Sequence, residues 1–157
     1  HNNHLILRPT VIYGKKNKSD IGFLIALIKR MPVVPIVGNG KQLIQPISVE
    51  DVVKCIDSGL LHNISGIHLI AGQNSLKYRE IIKIISKALG KNTMVIRIPF
   101  AIGYIIAKFL ALLKLGFLQK SQIDNLRIDR VYSMDETEKI FRLKFSDPRE
   151  GIYQIAK

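Results

Sequence analysis

Apolar residues come in short bursts separated by Pro, Gly and Asn, a spacing that predicts alternating strands and helices. Leu5 to Leu7 is a continuous apolar run and reads as a buried strand. Arg8-Pro9 stops it, because proline removes a ladder donor and restricts the residue before it. A polar loop follows through Tyr13-Gly14 to Ser19-Asp20. Phe23, Leu24, Leu27 and Ile28 then recur at helical spacing, with Asp20 as N-cap and Pro32 as the stop. Val33 to Val37 reads as a strand broken by Pro35 and hence an edge.

Gly38-Asn39-Gly40 is a turn signal between apolar segments and predicts a hairpin or tight loop, with Gln42 to Ile47 as the next extended piece. Ser48, with Asp51 three residues on, predicts a capped helix carrying the stripe Val52, Val53, Ile56 and Leu60 and ending near Leu61. Ile67 to Ile70 is a strand, and Ala71 to Ser75 a turn. Tyr78 to Leu89 is a helix closed by Gly90. Met94 to Ile98 makes another strand before Pro99. Helices follow over Phe100 to Leu113, Gln122 to Ile128, Glu136 to Phe141 and from Pro148 to Ile155. The class is α/β with few, short strands, too few to close a doubly wound sheet within this chain.

At 157 residues and 47% hydrophobic, the chain can bury one domain-sized core. The single cysteine, Cys55, lies within the pattern Val52, Val53, Cys55, Ile56. It reads as a small core hydrophobe in a reducing, cytoplasmic compartment, and it excludes a disulfide framework. The net charge of +12 invites an anionic partner. Only Lys15-Lys16-Asn17-Lys18 forms a run, however, and elsewhere basic residues such as Lys83, Lys87 and Lys91 stand singly. Without aromatic residues interleaved among them, nucleic acid is not the expected partner. His4, His62 and His68 show no metal-ligand spacing, so no metal site is expected. The stretch Ile98 to Leu118 is interrupted by Lys108 and Lys114, and its apolar core falls short of the roughly 20 residues a membrane span needs. Gly103, Ala107 and Ala111 recur every four positions, which predicts a buried or partner-facing helix, with peripheral lipid contact as the alternative.

Three stretches in order carry a resemblance. They are Leu7-Arg8-Pro9-Thr10-Val11-Ile12-Tyr13-Gly14; Gly38-Asn39-Gly40-Lys41-Gln42 leading to Ile47-Ser48-Val49-Glu50-Asp51-Val52-Val53; and Leu76 to Ile82 with Ala88-Leu89-Gly90-Lys91. Together they resemble the back half of extended short-chain dehydrogenase/reductases, the NAD-dependent epimerase/dehydratase family. The resemblance implies that residues 1–157 are a single substrate-side domain, the carboxyl-terminal portion of a Rossmann-type protein. The dinucleotide-binding part is then expected to precede His1. NAD or NADP belongs to that intact parent, and none is expected on this portion alone. The partners implied are the front Rossmann portion and a small sugar-type substrate, and self-association is expected of the portion by itself.

By the same resemblance the end of the first strand lies beside the nicotinamide, which makes Pro9 and Thr10 cofactor contacts. Val11, Tyr13, Lys41, Gln42 and Gln45 become substrate-side residues. The family's catalytic tyrosine and lysine, four apart on a helix before the Arg-Pro strand, have no counterpart here. Tyr104 with Lys108 and Tyr153 with Lys157 match the spacing, but both follow that strand, so no catalytic residue is assigned. Val11 stands where many sugar-nucleotide epimerases have asparagine, and Ile44 where an arginine often binds the diphosphate. Gln45-Pro46 replaces an acidic-aromatic pair. These departures resemble an atypical branch that includes polysaccharide-biosynthesis epimerases and a respiratory complex I accessory subunit. The expected function is substrate binding within an NAD(P)-dependent sugar or nucleotide-sugar epimerase, dehydratase or reductase. The alternative is a non-catalytic scaffold or membrane-peripheral subunit on the same fold.

Overall fold

A computed structural model describes residues 4–15, 19–112, 124 and 128–157. The chain order is β1 (Leu5–Pro9), β2 (Ile12–Tyr13), α1 (Asp20–Arg30), β3 (Val33–Val37), β4 (Leu43–Ile44), β5 (Ile47–Ser48) and α2 (Val49–Leu61). Then come β6 (Gly66–Ile70), β7 (Leu76–Lys77), α3 (Tyr78–Ala88), β8 (Met94–Ile98), α4 (Phe100–Leu112), α5 (Asp135–Phe141) and α6 (Pro148–Ala156). The helix expected over Gln122 to Ile128 falls almost wholly outside the described residues, as do the Lys16 to Lys18 run and the end of the long apolar stretch.

The strands pair as parallel β1 with β6, parallel β2 with β5, parallel β3 with β8 and antiparallel β4 with β7. The glycine turn is therefore a tight loop and not a hairpin, because β3 and β4 take different partners. Gly38 and Gly40 both have left-handed backbones, at φ 83° and 64°, which glycine adopts without Cβ strain. The extended piece after the turn breaks into β4 and β5 at Gln45-Pro46, where proline offers no ladder donor. Strand β1 runs through Pro9 instead of stopping before it. Pro9 pairs with Ile70 at the end of the ladder, and the Thr10 amide donates to the Ile70 carbonyl at 3.0 Å.

Helix starts follow cap chemistry. Ser19, not Asp20, caps α1 by accepting from the Gly22 amide, and Asp20 sits in the first turn. Ser48 caps α2, as the sequence predicts, and Asp147 caps α6. The buried faces differ from the expected stripes. Helix α1 buries Ile21, Leu24, Ile25 and Ile28 and leaves Phe23 exposed. Helix α2 buries Asp51, Cys55 and Gly59 and leaves Val53, Ile56 and Leu60 exposed. A Cβ on Gly59 would lie 2.3 Å from Leu5 Cδ2, so the small-residue side of α2 lets it lie tightly against β1.

Two apolar cores result. One gathers α1, β3, α3 and α6 around Leu24, Ile28, Val34, Ile82, Ile85 and Ile152. The other gathers α2, β6 and α5 around Cys55, Ile70 and Phe141. Strand β2 joins them, because successive side chains of a strand point to opposite faces. Tyr13 belongs to the first core and Ile12 packs against the second. On the β1–β6 pair, Leu5 and Leu7 pack on the second core, while the register partners Ile6 and Ile67 are 47% and 57% exposed. No helix of the described residues is long and apolar enough to cross a membrane.

Candidate functional site

Parallel α/β sheets offer ligands a crevice beyond the carboxyl ends of their strands. Here β1 and β6 end side by side at Pro9 and Ile70, and the segments leaving them meet the Gln45-Pro46 break between β4 and β5. Thr10 donates its hydroxyl to the Gln45 carbonyl. The Gln45 side chain is only 3% exposed, and its amide nitrogen donates to the Gly72 carbonyl at 2.7 Å and to the Tyr132 carbonyl at 3.0 Å. Its amide oxygen accepts from the Tyr132 amide at 2.7 Å. One side chain thus binds the turn after β6 and the segment before α5 as a strand neighbour would. Gly72 is required there, because a Cβ would come within 2.1 Å of the Pro46 carbonyl oxygen.

The same segment is held one step earlier. The Leu43 amide donates to Asp129 Oδ1 at 2.7 Å, and the Arg130 amide donates to the Leu43 carbonyl at 2.9 Å. Beside this clamp, between β6 and residues 131–140, opens a cleft of about 620 Å³ with His68, Tyr132, Glu136 and Thr137 in its wall.

The structure brings together Pro9, Thr10 and Gln45 of the residues singled out from the sequence. Pro9 is exposed at the strand end, while the Thr10 amide and hydroxyl are both spent on protein acceptors. Val11 packs against the first core, and its carbonyl accepts from the Ile47 amide at 2.9 Å. Tyr13 is 1% exposed and sealed in that core. Its hydroxyl lies against Gly151 with no hydrogen-bond partner among the described residues. Burial, then the charges of Asp51, Glu50 and Asp147, push its pKa up, so it stays a neutral phenol.

Lys41 and Gln42 attach elsewhere. The Lys41 amide donates to Asn39 Oδ1 at 2.8 Å, and the Gln42 carbonyl accepts from the Tyr78 amide at 3.1 Å at the start of α3. The Tyr104 hydroxyl donates to Asp124.

Sequence reasoning missed Tyr132, Gly72 and Asp129, which meet β4 and the Gln45 break from far along the chain, and a single sequence holds no periodic signal for such a meeting. It also missed the second role of Asp51, a carboxylate with no exposed surface. Besides its place in the α2 cap, it accepts from the Ser146 amide at 2.9 Å, from the Ser146 hydroxyl at 3.1 Å and from Lys54 at 3.0 Å. Burial raises its pKa, but the Ser146 amide, Lys54 and Ser48 more than offset this and hold it below the usual carboxylate range. Burial, aided by Asp51, pushes the Cys55 thiol up to about 11. Among the described residues no three His, Cys, Asp or Glu side chains gather as metal ligands.

No family model and no curated protein matches the chain. Solved structures do. A dTDP-4-dehydrorhamnose reductase from Bacillus anthracis in complex with NADP superposes with a TM-score of 0.69 at 17% identity, over 99% of this chain and 48% of that one. A human epimerase family protein with NADPH gives 0.74 at 16% identity, over 98% and 48%. The chain thus has the Rossmann-type α/β fold of part of an extended short-chain dehydrogenase/reductase. A dTDP-glucose 4,6-dehydratase from Bacillus anthracis in complex with NAD shares this fold, with a TM-score of 0.68 at 16% identity over 97% and 43%. The chain spans less than half the length of these structures.

Proposed function

We propose that this chain is the substrate-side part of an NAD(P)-dependent sugar or nucleotide-sugar epimerase, dehydratase or reductase. The observation that carries the reading is the convergence of Pro9, Thr10 and Gln45 at the carboxyl ends of two parallel strands, in a chain with this fold.

The residues fit one part of a dinucleotide and not another. Pro9 has no N–H, and both donors of Thr10 are committed, so this corner offers an incoming group a shaped, apolar contact suited to a flat ring. The pyrophosphate of a dinucleotide is received in Rossmann-type folds by free amides at the start of a helix behind a glycine-rich turn. Helices α1, α2 and α6 open instead on Ser19, Ser48 and Asp147, whose side chains accept from the first-turn amides, and α3 opens on Lys77. Dinucleotide binding and hydride transfer are then the work of residues other than the described ones. The exposed Ile6 and Ile67 face is where that other portion lies, because parallel sheets are covered on both sides. The cofactor, when bound there, accepts or returns a hydride. The residues here wall the site and, through Gln45, fix the two segments that shape it.

Calorimetry with NAD(P)H tests this on the chain alone and on a longer protein containing it. Binding is expected only in the longer protein. Binding by the chain alone that inorganic pyrophosphate does not compete away overturns the division of labour, and silence from the longer protein removes the enzyme reading.

A second reading, a non-catalytic scaffold or membrane-peripheral subunit, is favoured by the use of the Gln45 amide inside the protein, by Val11 in the core and by the exposed Ile102 and Ile105 of α4. Liposome flotation of the longer protein at low and high salt separates the two, with association under neither condition counting against the lipid version.

A further inference from the structure

Lysines that stand singly in the sequence converge in the fold. Arg79, Lys83, Lys87 and Lys91 follow one another every four residues, which stacks them along one side of α3 and its exit. Arg97 of β8 faces them across a groove of about 490 Å³ whose lining includes these five cations and no carboxylate. Among the described residues none of the five is in an ion pair. Like charges four apart on a helix repel, so the row weakens α3 unless something anionic lies along it. The Arg79 amide donates to the Gly40 carbonyl at 3.1 Å, and Lys91 donates to the Lys29 carbonyl, which anchors both ends of the row.

A second observation is independent of charge. Thr93 lines the same groove, and its hydroxyl, turned away from solvent, has no hydrogen-bond partner among the described residues. A buried hydroxyl left unpaired is costly, and a turn of the Thr93 side chain toward the groove would pair it with a ligand oxygen there.

We propose that this groove binds a compact phosphate-bearing anion of the pyrophosphate class, with Arg79, Lys83, Lys87 and Arg97 supplying charge and Thr93 a donor at its floor. The concavity and the sunken hydroxyl favour a small ligand over a flat lipid surface, and no aromatic side chain lines the groove to stack a base. The groove shares no residue with the Thr10–Gln45 clamp, so the inference stands apart from the proposed function.

Calorimetric titration of the chain with inorganic pyrophosphate at fixed salt tests it. The K83Q/K87Q and R97Q variants change exposed side chains, and glutamine keeps helix propensity in α3. Each is expected to weaken binding at least tenfold, while K139Q/K144Q, which removes two exposed cations outside the groove, changes it less than twofold. Thr93→Val is expected to weaken binding severalfold without lowering the thermal midpoint, which separates a ligand-facing hydroxyl from a structural one. No binding by the parent chain, or equal weakening by K139Q/K144Q, overturns the proposal. Cosedimentation with phosphatidylglycerol vesicles that free pyrophosphate does not compete away overturns the compact-ligand assignment in favour of a membrane surface.

Discussion

Gln45 shows how one side chain can do the work of a missing stretch of strand. Its amide makes three hydrogen bonds to two segments that share no ladder with it. Gln45→Leu keeps much of the volume but strands the Gly72 carbonyl and the backbone amide and carbonyl of Tyr132. Unpaired buried groups cost about 1–3 kcal/mol each before water reaches them, so an overall loss of about 2–4 kcal/mol is expected, read from the urea midpoint.

Asp51 makes a prediction with a sign. Its folded pKa is depressed below an unfolded value of about 3.9, so the native state binds its proton less readily than the unfolded chain. Its contribution is therefore fully present above about pH 5 and is lost as pH falls through 3.9 toward the folded value. Asp51→Asn is expected to lower stability at pH 7 by about 1–3 kcal/mol and to flatten the acid limb of a pH titration of the thermal midpoint. An unchanged acid limb would assign that limb to other carboxylates. From the sequence Asp51 was legible as part of a cap, since Ser48 stands three residues before it. Its bond to Ser146 was not, because no local pattern encodes a contact between residues 95 positions apart.

At the scale of elements, strands and helices were legible wherever apolar period and punctuation agreed. Val33–Val37, Met94–Ile98 and Tyr78–Ala88 all lie within a residue or two of where spacing, Pro99 and Gly90 place them. The buried face of α2 was not. Val53, Ile56 and Leu60 make the stronger apolar stripe, yet the small residues Cys55 and Gly59 are the buried ones, with Gly59 against Leu5 of β1, because backbone approach and not side-chain size decides that contact. The glycine turn was legible as a turn and misread as a hairpin option, since pairing partners lie far along the chain. Its geometry is demanding. Gly38 combines φ 83° with a virtual Cβ 2.7 Å from the Phe100 ring. Gly38→Ala is expected to cost about 1–3 kcal/mol through backbone strain and displacement of that ring, measured as a lower urea midpoint at unchanged slope.

At the scale of the molecule, the Rossmann-type fold was legible through the order of three stretches, while of the residues singled out from the sequence only Pro9, Thr10 and Gln45 converge in the structure. Tyr13 drops out of it because a period of two cannot tell which face of a two-residue strand is core. The exposed Ile6 and Ile67 pair on a parallel sheet is an apolar surface that promotes association. An Ile6→Thr/Ile67→Thr variant is expected to shift the chain toward monomer in light scattering while changing the unfolding free energy from urea titration by less than about 0.5 kcal/mol, as surface substitutions do. Unaltered light scattering would place the sticky surface elsewhere.

Strand β2 sets how the whole melts. With one of its residues wedged in each apolar cluster, neither cluster can loosen without tugging the other through a shared peptide unit. The halves are therefore expected to come apart together in a single cooperative transition.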